Sequence, residues 1–400
     1  MSVASIAALV CALALAVFAV RRALLIVAAL LARRPLATSA EPPSLTLVVP
    51  ARNETAALDR LLGALAGLDY DEERLFTVLV DDGSGDGTGE RLAQWADGRP
   101  RALALALSAP VGKPQALNEA IAEAPPSELI AVCDADLRPQ PDCFRRLAEP
   151  FADESVGLTV GYRRPENAAS STISRYAAVE TWVHQLVTSA AKDRLDLNPP
   201  SLGFSVYRRA ALEEIGWFRP DANDEDTDST LALTWTGWRT RFVPDAVADN
   251  LVVDRWTDYW RQHLRWAGSF LDAARPAERR RTAPLGRQLE LWLFRAGYLD
   301  RVVLVAACAF AAVGALPVWA PGAYLALPAV EVVVALGRAG VGRRAWSFLL
   351  ATAAVFPLDV LASLAAVAVH PRRRQRLGWE SPRRPVPETA QADAIDRQAA

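Results

Sequence analysis

Leu129-Ile130-Ala131-Val132-Cys133-Asp134-Ala135-Asp136 joins five apolar residues directly to two carboxylates. A short, uniformly apolar run is the pattern of a strand covered on both faces, and the acidic pair then falls at its carboxyl end. The same grammar recurs upstream. Ser44–Val49 is an apolar run closed by Pro50, and Phe76–Val80 is closed by Asp81-Asp82-Gly83-Ser84-Gly85-Asp86-Gly87. Ala102–Leu107 is a further run. Between the first two, residues 54–68 place Leu58, Leu61, Leu62 and Leu65 at helical spacing. Strands alternating with helices predict an α/β domain whose sheet is parallel and buried on both faces. In such sheets ligands bind beyond the carboxyl ends of the strands, where these acidic loops fall.

Asp, Gly and Ser also dominate ordinary turns, so composition alone does not make the 81–87 loop a site. Its position after a buried strand does: Asp81 and Asp82 are placed to accept hydrogen bonds from a base or a ribose. Asp134 and Asp136 lie two apart, so an extended segment would present both on one side. Hard oxygen donors of this kind suit Mg²⁺ or Mn²⁺ beside a phosphate. Asp224-Glu225-Asp226-Thr227-Asp228 then opens a helical stretch. Acids favour a helix N-terminus, but four in five residues exceed what capping needs and repel one another. Such crowding keeps one carboxylate ready as a general base. On a helix, Gln262, Arg265 and Trp266 share a face, offering a phosphate partner and a broad apolar plate. His184, His263 and His370 are isolated, and no His-based catalysis or metal site is expected. Neither a Walker-type loop nor a Gly-x-Gly-x-x-Gly opening the first helix is present.

The chain has 400 residues, 52% hydrophobic and 22% charged, with a formal net charge of −2. That excludes a disordered chain and gives no reason to expect nucleic-acid binding. Cys11, Cys133, Cys143 and Cys308 lack the paired spacing of a zinc site and are expected as free thiols. The apolar residues are concentrated. Residues 2–20 and 302–320 carry no charge, and residues 345–369 carry one, Asp359. About 20 helical residues cross a bilayer core, so these three stretches are expected to span. Residues 23–32 would extend the first helix or lie at the interface, and residues 323–336, with Glu331, are marginal. Arg21, Arg22, Arg33 and Arg34 place the chain after the first span in the cytoplasm. Arg338, Arg343 and Arg344, and then Arg372, Arg373, Arg374 and Arg376, pull both ends of the last span inward, a conflict the pattern leaves open. The expected organisation is an N-terminal anchor over 1–34, a catalytic domain over 41–290, interfacial and transmembrane helices over 291–371, and a disordered tail over 372–400.

The motifs in order resemble those of family 2 glycosyltransferases of the membrane-embedded, processive type, the group of the cellulose, chitin, hyaluronan and poly-N-acetylglucosamine synthases. Val49-Pro-Ala-Arg-Asn-Glu54 resembles the family's opening Pro-Ala-Tyr-Asn-Glu, with Arg52 for Tyr. Val80–Ser84 with Asp86-Gly87-Thr88 resembles the nucleotide loop, and Gly112-Lys-Pro-Gln-Ala-Leu-Asn118 the stretch whose Lys lies near the donor. Asp134-Ala-Asp136 resembles the metal motif, and Gly203–Gly216 the acceptor-side segment, though Trp217 replaces a second Gly. Glu225-Asp226 stands where the family has Thr-Glu-Asp, with Asp224 for Thr, and Gln262-x-x-Arg265-Trp266 matches Gln-x-x-Arg-Trp. The resemblance implies a GT-A fold flanked by transmembrane helices, a nucleoside-diphosphate sugar donor (UDP-N-acetylglucosamine or UDP-glucose) and Mg²⁺ or Mn²⁺. It implies Pro50, Arg52, Glu54, Asp81, Asp82, Lys113 and Asp134 on the nucleotide, and Asp136 with Asp134 on the metal. It further implies Asp226 as base with Glu225 beside it, and Gly203, Gln262, Arg265 and Trp266 on acceptor and diphosphate. The acceptor would be a growing polysaccharide or, alternatively, a membrane lipid taking one sugar. The expected location is the inner (plasma) membrane, multi-pass, with the catalytic domain cytoplasmic; the oligomeric state is not legible.

Overall fold

The computed structural model describes residues 2–31, 41–222, 224–272 and 283–369. One mixed sheet organises the domain. Its strands are β1 (Leu45–Ala51), β2 (Leu75–Asp81), β3 (Ala102–Ala106), β4 (Leu129–Cys133), β5 (Leu137–Pro139), β6 (Val156–Pro165), β7 (Phe204–Arg208) and β8 (Arg239–Asn250). Their spatial order is β3-β2-β1-β4-β7-β6-β8-β5. All of β1 and β4 is buried, as their continuous apolar sequences require when both faces are covered.

The helices of the domain are α2 (Thr55–Leu65), α3 (Thr88–Ala96), α4 (Lys113–Glu123), α5 (Cys143–Ala148), α6 (Thr172–Trp182), α7 (Ala190–Leu195), α8 (Arg209–Ile215), α9 (Glu225–Thr236) and α10 (Trp256–Asp272). One face of the sheet packs Leu47, Val49 and Leu79 against Leu58, Leu61 and Leu62 of α2 and Phe144 of α5. The other packs Val48, Val80 and Val132 against Leu117 and Ile121 of α4, Leu212 of α8 and Leu233 of α9.

The expectation of a parallel sheet holds for β3-β2-β1-β4 and for the β6-β8 pair, and fails where β7 and β5 enter. β7 pairs antiparallel with β4, with Cys133 opposite Phe204. Burial on both faces produces a continuous apolar run whichever way the neighbour points, so the pattern does not encode direction. The reversal has a consequence for the site. The chain enters β7 at the end where it leaves β4, so the segment before Phe204 lies beside the loop after Cys133, and the Asp134 N–H donates to the Gly203 carbonyl at 3.0 Å.

Outside the sheet, α1 (Val3–Leu30) takes residues 23–30 into one continuous helix with the first apolar run. α11 (Leu285–Arg295) packs Leu291 against Leu231 and Trp235 of α9. After it come α12 (Leu299–Ala312), α13 (Trp319–Arg338) and α14 (Ala345–Val369). Among the described residues, three helical stretches are long and apolar enough to cross a membrane: Val3–Leu30, Trp319–Arg338 and Gly342–Ala368.

The expected span over 302–320 is therefore corrected. α12 stops at Ala312, before Gly314 at φ +72°, and its 14 residues fall short of the ~20 a span requires. The marginal stretch 323–336 lies instead within α13. Arg338 donates to the carbonyls of Ala29 and Leu186, so α13 ends beside the end of α1, against the domain. Arg33, Arg34 and residues 372–400, including the expected disordered tail, lie outside the described residues.

Leu61 is fully buried between sheet and α2. Leu61→Ala is expected to lower unfolding stability by about 2–5 kcal/mol, read as a lower thermal midpoint of the detergent-solubilised protein.

Candidate active site

Beyond the strand ends lies a cavity of about 660 Å³. Its head collects Pro50, Arg52 and Glu54 from the loop after β1, Lys113 from the start of α4, and Asp134 and Asp136 from the loop after β4. Asp224, Glu225 and Asp226 close it from the start of α9, and Gln262, Arg265 and Trp266 face it from α10. Helical spacing thus turned the three α10 residues to one side, as expected.

Lys113 is the hub. Its ammonium lies 2.6 Å from Asp134 and also pairs with Glu225. Burial opposes the charge on Lys113, but Asp134, Glu225 and Asp226 outweigh it and raise its pKa well above the ordinary lysine value. The reverse holds for the α9 acids. Oxygens of Asp224, Glu225 and Asp226 lie within 4.8 Å of one another. Burial, then the Glu225 charge, pushes Asp226 up to about 7, with Lys113 opposing. Asp224 and Glu225 are raised as well, chiefly by burial.

Ser201 donates to Asp226 Oδ1 at 2.7 Å, and the Tyr207 hydroxyl backs Ser201 at 3.2 Å. Nothing in the local pattern of Ser201 or Tyr207 marks them; only the return of β7 beside β4 brings them to the acid.

Asp134-Ala135-Asp136 is a turn rather than the extended segment expected, with the Leu137 N–H donating to the Asp134 carbonyl at 3.1 Å. Both carboxylates still reach the cavity. Gly203 makes room for the first: a Cβ there would stand 2.0 Å from Asp134 Oδ2, and its φ is +75°. Its place is thus against a proposed metal ligand. Asp134 and Asp136 are hard oxygen donors at a spot where a buried ammonium already settles against Asp134, so the residues present fit Mg²⁺ or Mn²⁺.

Asp81 and Asp82 are not among the residues that line the cavity. Asp82 accepts from the backbone N–H groups of Val111 at 2.6 Å and Gly112 at 3.1 Å, which fixes the turn into Lys113. Asp81 accepts from the Ser84 N–H at 3.2 Å and from its hydroxyl. In the structure both carboxylates shape the loops around the site.

His184 faces the cavity from the π-helical segment Val183–Ser189, its imidazole held neutral by burial, at about 3. His263 Nε2 lies 3.3 Å from Glu180, and Tyr259 donates to Asp359 at 2.9 Å. His263, isolated in the sequence, thus stands with Glu180 and Asp359, their ligand atoms within 4.8 Å of one another, on the wall of the cavity.

Comparison with known proteins adds four matches. The family model described as "Glycosyltransferase like family 2" matches residues 42–269. The probable glycosyltransferase YdaM of Bacillus subtilis is 30% identical over 234 residues, 57% of this chain and 55% of that protein. An N-acetylglucosaminyltransferase of Mesorhizobium japonicum is 33% identical over 247 residues, 58% of this chain and 57% of that protein. The chain thus spans a little over half the length of these relatives. Among solved structures, the mannosyltransferase PcManGT of Pyrobaculum calidifontis, in complex with GDP-Man and Mn²⁺, aligns with a TM-score of 0.63 at 22% identity. That alignment covers 93% of this chain and 99% of the other, a likeness of fold.

Gly203→Ala is expected to displace the Asp134 carboxylate and cut sugar transfer at least tenfold with little loss of folded protein. Turnover per folded molecule measures it, and near-normal turnover would refute the packing role of Gly203.

Proposed function

The chain belongs to the family 2-like glycosyltransferases, and on that footing we propose that it moves a sugar, with inversion, from a nucleoside-diphosphate sugar to a growing polysaccharide at the membrane. The carrying observation is the buried cluster of Lys113, Asp134, Glu225 and Asp226 at the head of a cavity that Arg265 and Trp266 also face. Asp226 takes the proton of an acceptor hydroxyl as that oxygen bonds to the anomeric carbon. The bond from that carbon to the diphosphate breaks, and its electrons leave with the diphosphate. A base near 7 is matched to neutral pH, and such catalysis contributes ~10²–10⁴-fold. Lys113 and Arg265 neutralise the departing charge, while Trp266 offers its face to the acceptor sugar. A divalent ion held by Asp134 and Asp136 would supply Lewis-acid stabilisation of the diphosphate. Pro50, Arg52 and Glu54 contact the nucleotide in this reading, with Asp81 and Asp82 supporting the loops that hold it.

The name carried by the Mesorhizobium relative puts UDP-N-acetylglucosamine first among donors, ahead of UDP-glucose. For the acceptor, the same cavity is also lined by Phe18, Arg22 and Leu25 of α1, Tyr324 of α13 and Ser363 of α14. An acceptor at the bilayer fits this lining. The same lining, with three candidate spans among the described residues, also suits a lipid taking one sugar. The arginines after the first span support a multi-pass protein of the inner membrane with its catalytic domain in the cytoplasm.

Incubating membranes with labelled nucleotide sugars and sizing the product separates the two: a ladder supports polymer synthesis, a single glycolipid the second reading. Asp226→Asn should lower transfer at least 100-fold while nucleotide binding persists. Protonation removes the base, so wild-type kcat/KM should fall about tenfold per pH unit below about 7. Turnover in Asp226→Asn near the wild-type rate would remove the assignment. EDTA should stop transfer and Mn²⁺ or Mg²⁺ restore it; full activity in chelator would exclude the metal role of Asp134 and Asp136.

A further inference from the structure

Asp359 is the single charged residue of the apolar stretch 345–369 and is only 1% exposed. A carboxylate inside a helix built for lipid is costly and persists where a partner meets it. Its partners come from outside α14. The Tyr259 hydroxyl donates to one carboxylate oxygen at 2.9 Å, and Arg301 of α12 reaches the other at 3.3 Å.

Tyr259 is one turn before Gln262 on α10 and is fully buried. Its ring stacks on His263 at 3.9 Å between centroids and on Trp256 at 5.4 Å. His263 in turn is held at both nitrogens, by the Tyr259 carbonyl at 3.0 Å and by Glu180 of α6 at 3.3 Å. Tyr259 and His263 form the anchored stripe of α10; Gln262, Arg265 and Trp266 lie beside it on the cavity, which His263 and Asp359 also line, and the His263 ring packs 5.1 Å from that of Trp266. Each residue of helix rotation is about 100°. A slip of one position on the anchor would carry Arg265 and Trp266 out of the site.

We propose that Asp359, from within a membrane-spanning helix, is a positioning residue for catalysis: through Tyr259 it fixes the rotation of α10 and so aims Arg265 and Trp266 at the reacting sugars. The inference rests on the transferase reading, in which Arg265 and Trp266 serve diphosphate and acceptor. It makes the membrane helix part of the construction of a site that the domain's own strands and loops do not complete.

The test uses the full chain in lipid nanodiscs. Asp359→Leu and Tyr259→Phe should each lower kcat about tenfold or more, raise the acceptor KM and weaken nucleoside-diphosphate affinity, because Arg265 leaves the diphosphate together with Trp266. The double variant should be no worse than the worse single, because both remove one link. Asp359→Asn keeps an oxygen acceptor for the Tyr259 hydroxyl and should recover most of kcat. Independent of transfer, backbone amide exchange over residues 259–266 should quicken in Asp359→Leu and stay near wild type in Asp359→Asn. Wild-type kcat in Asp359→Leu, multiplicative losses in the double variant, or unchanged exchange in α10 would each overturn the proposal. A wild-type protein that transfers no sugar from any donor would overturn the transferase reading instead, and the exchange result would still decide whether Asp359 holds α10.

Discussion

Lys113 shared between Asp134 and Glu225 is the contact on which the site depends. The three residues come from the start of α4, the loop after β4 and the start of α9, and no local segment could bring them together. The arrangement is costly by itself. Three α9 carboxylates and Asp134 crowd a region largely closed to water, and removing one partner from such a group leaves charge buried without compensation. One ammonium relieves part of that repulsion, and burial, with the remaining repulsion from Glu225, leaves Asp226 holding its proton up to about 7. The same crowding that strains the fold thus gives a carboxylate the proton affinity of a base.

The helix bundle repeats this logic on its own side of the cavity. Arg21 pairs with Glu290 at 2.5 Å, and Glu290 also meets the buried Lys192 at 3.0 Å. Arg22 pairs with Asp300 at 3.0 Å and with Glu331. These groups join α1 to α11, α12 and α13 and to the domain. Facing lipid, such charges would be expelled; here they point inward to one another. The outer faces carry the apolar residues instead, among them Leu9, Leu13 and Val17, each about half exposed. Polar interior and apolar exterior are what a bundle needs if it is to sit in a bilayer and border a wet active site.

Much of this is legible in the sequence, and for identifiable reasons. The runs at 44–49, 76–80 and 129–133 announce themselves as strands because burial on both faces keeps them largely apolar, and the run at 102–107 is apolar too, although β3 lies at the sheet edge and is only half-buried. Asp134, Asp136, Glu225 and Asp226 can be chosen because carboxylates at strand ends and helix starts have few bland uses when crowded. Gln262, Arg265 and Trp266 emerge from helical periodicity alone. The span expected at 302–320 misleads because hydropathy counts residues and not the backbone: Gly314 and Pro317 carry no charge, yet the chain turns there. Asp81 and Asp82 stand out for their acidity, whereas their oxygens serve backbone and hydroxyl groups of neighbouring loops.

The chain's own order of residues determined four of the eight strands, two of the three helices apolar enough for lipid, and which acids sit at strand ends, because burial and periodicity act locally. Tertiary structure alone decided that β7 returns antiparallel to β4. That one reversal seats Gly203 against Asp134 and brings Ser201 and Tyr207 to Asp226. It also decided that Asp359, an oddity in an apolar helix, lines the cavity and meets Tyr259 of α10. Contacts of that kind depend on the path of the backbone through space, and a hydrogen bond between residues one hundred positions apart leaves no periodic trace in either segment.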